Sequence, residues 1–194
     1  MTDWESCYVK GEMPWNKDAP SPPLVEWVCA ARPRGRTLVP GCGLGHDVVM
    51  LATSGVDAMG LDISTRAVDM ARLAYPAHAD RFFHGDLFAP PADWPGSFDL
   101  VVEHTCLSGM PPDLRPAYAQ AVGNLLRPGG LLVGVWYVNP DMEPGEPGPP
   151  WALPVEELGA MFAEPAWEIL EDYVPVPAFP GREGRERLRV LRKR

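Results

Sequence analysis

The chain has no Cys-x-x-Cys pair, and its four cysteines, Cys7, Cys29, Cys42 and Cys106, stand apart from any histidine at metal-ligand spacing. Neither a zinc site nor any other metal site nor a disulfide framework is expected from that scatter. No apolar run approaches the ~20 residues a membrane helix needs. The start, with Asp3, Trp4 and Glu5, lacks the basic-then-apolar order of a secretory signal. A cytoplasmic, reducing setting without a membrane is therefore the expectation. Cationic excess is missing too: the formal net charge is -9, which repels a polyanion instead of releasing its counterions, so nucleic acid is not an expected partner. One stretch runs against that balance. From Arg182 to Arg194 there are seven basic and two acidic side chains, punctuated by Leu188, Val190 and Leu191. This reads as an edge strand with solvated arginine flanks.

Internal repeats are absent, and the 194 residues, 46% hydrophobic and 22% charged, suit one domain around one core. From about Arg36 onward strand and helix patterns alternate, which implies a parallel sheet. Thr37 to Val39 enters a glycine cluster, and a helix starts near Asp47. A second strand, Ala58 to Leu61, stops at Asp62, and Ser64 caps a helix through Ala67, Met70 and Ala71. Further strands are expected at Arg81 to His84, Phe98 to Val102 and Leu131 to Val138, the last after a Gly129-Gly130 turn. Between the last two, Pro111-Pro112-Asp113 opens a helix whose apolar face carries Leu114, Tyr118, Val122 and Leu125. Six of the 24 prolines lie between Pro140 and Pro154, so Glu143 to Pro150 reads as a long loop. Trp167 to Tyr173 and Arg187 to Leu191 follow without an intervening helix, which suggests an antiparallel hairpin at the sheet edge. The expected fold is α/β, a Rossmann-like, doubly wound three-layer sandwich. Its seven-stranded sheet is mostly parallel with an antiparallel C-terminal hairpin.

Gly41-Cys42-Gly43-Leu44-Gly45 sits between a strand and a helix, where a tight turn lets backbone approach a nucleotide-like ligand. His46 stands where a dinucleotide fingerprint needs its third glycine, which disfavours a pyrophosphate site. Asp62 lies 21 residues after Gly41, at a strand end from which a carboxylate accepts hydrogen bonds from both ribose hydroxyls. Asp86, after the third strand, reaches an adenine amino group, with Leu87 and Phe88 as apolar cover. Together these residues describe an adenosine site.

Leu38-Val39-Pro40-Gly41-Cys42-Gly43-Leu44-Gly45-His46-Asp47 resembles the glycine loop of the thiopurine methyltransferase-like family, including its thiol and halide methyltransferases. Trp4, Tyr8 and Trp15 resemble that family's spaced N-terminal aromatics, and Met13-Pro14-Trp15-Asn16 its Pro-Trp-Asp segment. Phe98 to Thr105 is similar to the fourth-strand motif, Leu114 to Ala119 to the helix after it, and Gly148-Pro149-Pro150-Trp151 to a glycine-proline loop. The resemblance implies S-adenosyl-L-methionine as cofactor and a small-molecule methyl acceptor, a thiol or related soft nucleophile, as partner. It implies one methyltransferase domain over 1-194, with residues 1-35 an aromatic flap and first helix and 36-194 the cofactor-binding core; a monomer is expected. The implied cofactor contacts are Trp4, Tyr8, Trp15, Gly41, Gly43, Asp62, Ile63, Asp86, Leu87 and Glu103. Two departures stand out. Glu103-His104-Thr105-Cys106 replaces an expected Asp-Tyr-Thr-Phe, and Asn16 replaces an Asp.

Methyl transfer from a sulfonium is an in-line displacement, so such a protein chiefly aligns the nucleophile and excludes water. A thiol acceptor has a pKa near ~8.5, and His104, oriented by Glu103 or Thr105, is the candidate base that would generate thiolate. Cys42 and Cys106 read as small packing residues. Other readings stay open: Trp4, Tyr8 and Trp15 as a stripe packed on the core, a non-catalytic cofactor-binding module, an O- or N-methyltransferase, and an NAD-dependent oxidoreductase, which His46 opposes.

Overall fold

The computed structural model describes residues 2-140 and 148-194. Two helices, α1 (Trp4–Lys10) and α2 (Pro22–Ala31), precede the first strand. Then come β1 (Arg36–Pro40), α3 (His46–Thr53), β2 (Asp57–Asp62), α4 (Thr65–Ala74), β3 (Phe82–His84) and β4 (Phe98–His104). The chain continues through α5 (Arg115–Leu125), β5 (Leu126–Tyr137), α6 (Val155–Met161), β6 (Trp167–Tyr173) and β7 (Glu186–Lys193). The strand order is β3-β2-β1-β4-β5-β7-β6, with β1 to β5 parallel and β7 antiparallel to both its neighbours. The chain builds outward from β1 to β3 and then restarts on the other side of β1 at β4. That reversal leaves a crevice at the carboxyl ends of β1 and β4, where ligands of this fold collect.

Each strand of the middle of the sheet is buried on both faces, as its unbroken apolar run requires. Along β4 the alternation is visible: Phe98 and Val101 join the layer with Tyr118, Val122 and Leu125 of α5 and Leu158 of α6. Leu100 and Val102 point the other way, to Leu24, Trp27 and Val28 of α2, Val48 and Leu51 of α3, and Val68 and Ala71 of α4. The three layers expected from the sequence are therefore present.

Three local expectations need correction. The basic C-terminal stretch is not an edge strand, because β7 lies between β5 and β6, and β6 forms the edge. Its arginines are not uniformly solvated either: Arg182 and Arg189 are buried, Arg182 pairing with Glu186 at 3.1 Å and Arg189 with Asp172 at 2.9 Å. The strand placed at Leu131 to Val138 begins earlier, at Leu126, with a register shift on the paired strand between Phe98 and Leu100. Helix α6 went unread behind the proline-rich run. Buried Arg115 holds the segment before it, donating to Ala152 O at 2.7 Å and to Glu157 Oε2 at 2.6 Å. The expected loop Glu143 to Pro150 lies largely outside the described residues.

Gly45, the N-cap of α3, has φ 83°. A Cβ there would stand 2.4 Å from the Phe82 ring, which is wholly buried. The third glycine thus serves close packing of α3's start on β3. Gly45→Ala should cost about 2–4 kcal/mol, the sum of a left-handed backbone penalty and overpacking. Urea denaturation checks it, and an unchanged midpoint would show that the Phe82 contact yields freely.

Candidate active site

Where β1 ends, three glycines with φ 61°, 51° and 83° carry the chain over the sheet edge into α3. Cys42 N donates to Leu61 O at 3.1 Å, tying this loop to β2. Gly43 N donates to Asp62 Oδ2 at 2.8 Å, and Ser64 N donates to Oδ1 at 2.9 Å. Asp62 is only 6% exposed. Burial pushes its carboxyl above the usual range, and the two N–H donors oppose that push.

The loop leaves no room for side chains. A Cβ on Gly41 would meet Cys106 Sγ at 2.7 Å, and one on Gly43 would meet the Tyr8 hydroxyl at 2.8 Å. Tyr8 is the buried residue of α1, and Trp15 Nε1 donates to its hydroxyl at 3.4 Å. Trp15 meets Trp4 and Tyr8 edge-on, at 5.1 and 5.7 Å between ring centroids, a favoured aromatic geometry. Trp4 also lies against Gly109, beyond β4. The three aromatics form one roof from the glycine loop to the segment after β4, outside both core clusters.

At the far rim, Asp86 is exposed and its Oδ1 accepts from Phe88 N at 2.8 Å. Ile63 is 51% exposed beside Asp62, whereas Leu87 is buried in the core cluster with Leu61.

The end of β4 sends two groups to opposite faces. Glu103 is fully buried, and its Oε1 accepts from Leu107 N at 3.1 Å. Its Oε2 has no partner among the described residues, and burial pushes its carboxyl up to about 7. On the other face His104 Nδ1 donates to Asp47 Oδ2 at 2.7 Å, while Asp47 Oδ1 accepts from Ser21 N at 2.8 Å. The imidazole stacks on Phe179 at 6.3 Å, and its Nε2 has no partner among the described residues. Burial disfavours charge on His104, but Asp47, its hydrogen bond and Glu186 together outweigh it and raise the pKa above 6.5, with Arg182 opposing. Burial likewise opposes ionisation of Asp47; His104 and the Ser21 N–H reverse it and hold the carboxyl low.

Thr105 follows with φ 58°. A β-branched residue in the left-handed region costs on the order of 1–3 kcal/mol, and such strain clusters at functional sites. The turn it makes sets Cys106 over Gly41. Burial pushes both the Cys42 and Cys106 thiols well up, so they pack as thiols and are poor nucleophiles.

Asp47 and Glu5 were not singled out as site residues by the sequence. Asp47 had a signal, its place in the first turn of the helix that follows the glycine loop; Glu5, discussed below, had none.

Over residues 1-185 the chain matches the sequence model of the family Thiopurine S-methyltransferase (TPMT). The chain belongs to the thiopurine S-methyltransferase family. It is 32% identical over 191 residues to a probable thiol methyltransferase 2 of Arabidopsis thaliana, covering 95% of this chain and 82% of the relative. To a thiopurine S-methyltransferase of Vibrio cholerae it is 30% identical over 179 residues, 82% of this chain and 79% of the other. A 1,6-didemethyltoxoflavin-N1-methyltransferase from Burkholderia thailandensis, solved with its substrate and S-adenosylhomocysteine, shares the fold. The TM-score is 0.72 at 21% identity, with 98% of this chain and 85% of that one covered. The family's cofactor suits the residues present: glycines a Cβ would fill, a fixed carboxylate at the end of β2, and unpartnered polar atoms on Glu103 and His104. Among the described residues no group of His, Cys, Asp or Glu is arranged to hold a metal, and no helix is long and apolar enough to cross a membrane.

The raised Glu103 carboxyl has a stability consequence. Its folded form holds a proton more tightly than its unfolded form, so its contribution is present below about pH 4.5 and lost as pH rises through about 7. Glu103→Gln keeps the acceptor for Leu107 N without the ionisation. Its melting temperature relative to the parent should therefore rise steadily between pH 4.5 and 8; a pH-independent difference would show that Glu103 ionises normally.

Proposed function

We propose that the chain transfers a methyl group from S-adenosyl-L-methionine to a small soft nucleophile, foremost a thiol. The observation that carries this reading is the corner in which Asp62 holds the Gly43 N–H beneath Tyr8, one residue pair before the capped start of α4. Asp62 would receive the ribose hydroxyls and Asp86 the adenine amine, with Ile63 and Leu87 as apolar cover. Gly41 and Gly43 permit close backbone approach, Trp4, Tyr8 and Trp15 close the roof, and Glu103 faces the amino-acid end. The cofactor supplies, when bound, an electrophilic methyl group. The Arabidopsis relative's name, probable thiol methyltransferase 2, supports a thiol as acceptor. Residues 1-35 would act as flap and first helix on a core of 36-194 within one domain, working as a monomer in the cytoplasm.

His104 Nε2 is the atom that takes the acceptor's proton. Asp47 keeps the other ring proton on Nδ1 and so presents Nε2 bare in the neutral ring. Because Asp47 and Glu186 raise the His104 pKa, the neutral ring is the minor form at pH 6.5 and grows with alkalinity.

Release of S-adenosylhomocysteine in a screen of thiols, halides, selenium or tellurium oxyanions and phenols tests the reaction class. Thiols should react fastest. No release with any acceptor, despite cofactor binding, would make the chain a binding module. Asp62→Ala should weaken cofactor affinity by roughly 1–3 kcal/mol, read by calorimetry on the folded variant.

With a neutral thiol, kcat should rise with pH through a midpoint above 6.5. Asp47→Asn should lower that midpoint, since it removes the anion that favours the imidazolium. His104→Ala should lose roughly 10²-fold with a thiol and much less with a halide, which carries no proton to remove. Equal losses with both acceptors would leave His104 a pocket wall.

A further inference from the structure

The roof over the glycine loop is fastened at both ends. At one end Glu5 of α1 reaches the start of α4: its Oε2 accepts from Ser64 Oγ at 2.6 Å and from Arg66 N at 3.1 Å. Ser64 also accepts from Ala67 N at 3.0 Å, and its own N–H goes to Asp62. A continuous chain of hydrogen bonds thus runs from the Gly43 N–H through Asp62 and Ser64 to Glu5. The carboxylate is favourably placed at the positive end of a ten-residue helix.

At the other end Asn16 meets the first residue of α3. His46 Nε2 lies 3.1 Å from Asn16 Oδ1, and His46 Nδ1 lies 2.7 Å from the Tyr75 hydroxyl. Since Asn16 Nδ2 donates to Asp18 at 2.6 Å, its oxygen is the acceptor, and His46 donates to it from Nε2, leaving Nδ1 to accept from Tyr75 in the neutral form. Burial, which lowers the His46 pKa, agrees with that form. Between the two fastenings lie Tyr8, set against Gly43, and Trp15, stacked on it edge-on.

We infer that Glu5 and Asn16 are hooks that latch the flap, and that their release sets the rate at which cofactor and product exchange. Neither touches the ground that Asp62 and the glycines provide; both act as positioning residues through Ser64 and His46. A roof held only by aromatic packing would open with few bonds to break. Two hooks at separate helix starts make opening a concerted event. This inference rests on the methyltransferase reading, because exchange has meaning only if that corner holds a cofactor.

The test uses Glu5→Ala, Glu5→Gln and Asn16→Ala in the full chain. Hydrogen exchange of α1 amides in ligand-free protein should quicken on the order of 10-fold in Glu5→Ala, less in Glu5→Gln, with the sheet unchanged, as expected for loss of charge-assisted bonds. Stopped-flow fluorescence of Trp4 and Trp15 should show S-adenosylhomocysteine associating and dissociating faster, dissociation by roughly 10-fold, with KM for the cofactor raised and kcat at saturation kept or increased. Parental α1 exchange in the folded variants would overturn the hooks. Faster α1 exchange with parental ligand rates would overturn their control of exchange. Failure of the unmutated chain to bind S-adenosylhomocysteine would overturn the methyltransferase reading and this inference with it, leaving the α1 measurement to report on the hooks alone.

Discussion

The site hangs on one buried carboxylate. Asp62 ends β2 and accepts from Gly43 N of the glycine loop and from Ser64 N at the start of α4. It therefore joins the βα turns that follow β1 and β2, and through Ser64 it reaches Glu5 of α1. Burying a charge is costly unless it is hydrogen-bonded, and these two backbone donors are what the fold offers in exchange. The loop conformation that aims Gly43 N at Asp62 needs positive φ and close approach, so glycine, carboxylate and cap residue form one requirement. None of the three can change without unsettling the other two.

The end of β4 shows how environment divides tasks among acids. Glu103 is buried and Asp47 partly so, yet their carboxyls shift in opposite directions. Glu103 Oε1 accepts from Leu107 N while Oε2 has no partner among the described residues, so desolvation dominates and the carboxyl rises to about 7. Asp47 has an imidazole and a backbone N–H, and it stays ionised. A carboxyl held up near 7 on one face and an anion beside a histidine on the other show how surroundings push two acids apart. The alternation of β4 sends Glu103 and His104 to opposite faces, and the strained Thr105 turns the chain away directly after them.

Much of this was legible in the sequence where the cause is local. The apolar runs of β1, β2 and β4 announce themselves, and Gly41 to Gly45 can mean little other than a tight turn before a helix. Asp62 follows from its place at a strand end, and Ser64 from helix capping. What escaped reading depends on contacts distant in the chain. Asp47 meets His104 across 57 residues, so no spacing rule links them, and Glu103 or Thr105 was the nearer choice of partner. Glu5 on a seven-residue helix looks like any solvated acid. The alternation of Arg with Leu and Val in β7 suggested an edge, but the strand inserts between β5 and β6 and finds Asp172 and Glu168 of β6 to cover its charges. Partner choice, unlike period, is set only by the assembled fold.

His104 stands where the resembled family pattern has tyrosine, and that exchange carries a chemical argument. A tyrosine hydroxyl at neutral pH donates or accepts a hydrogen bond but holds its proton up to about pH 10. An imidazole beside a carboxylate changes charge near neutrality. A site that only needed to seat an anion would use the ring as imidazolium, and the Asp47 carboxylate beside it would offset much of that charge. A site that must draw a proton from a neutral thiol gains a base, and the same Asp47 then orients it. On the proposed reading, with His104 as base, the pairing with Asp47 suits acceptors that arrive protonated better than those that arrive as anions.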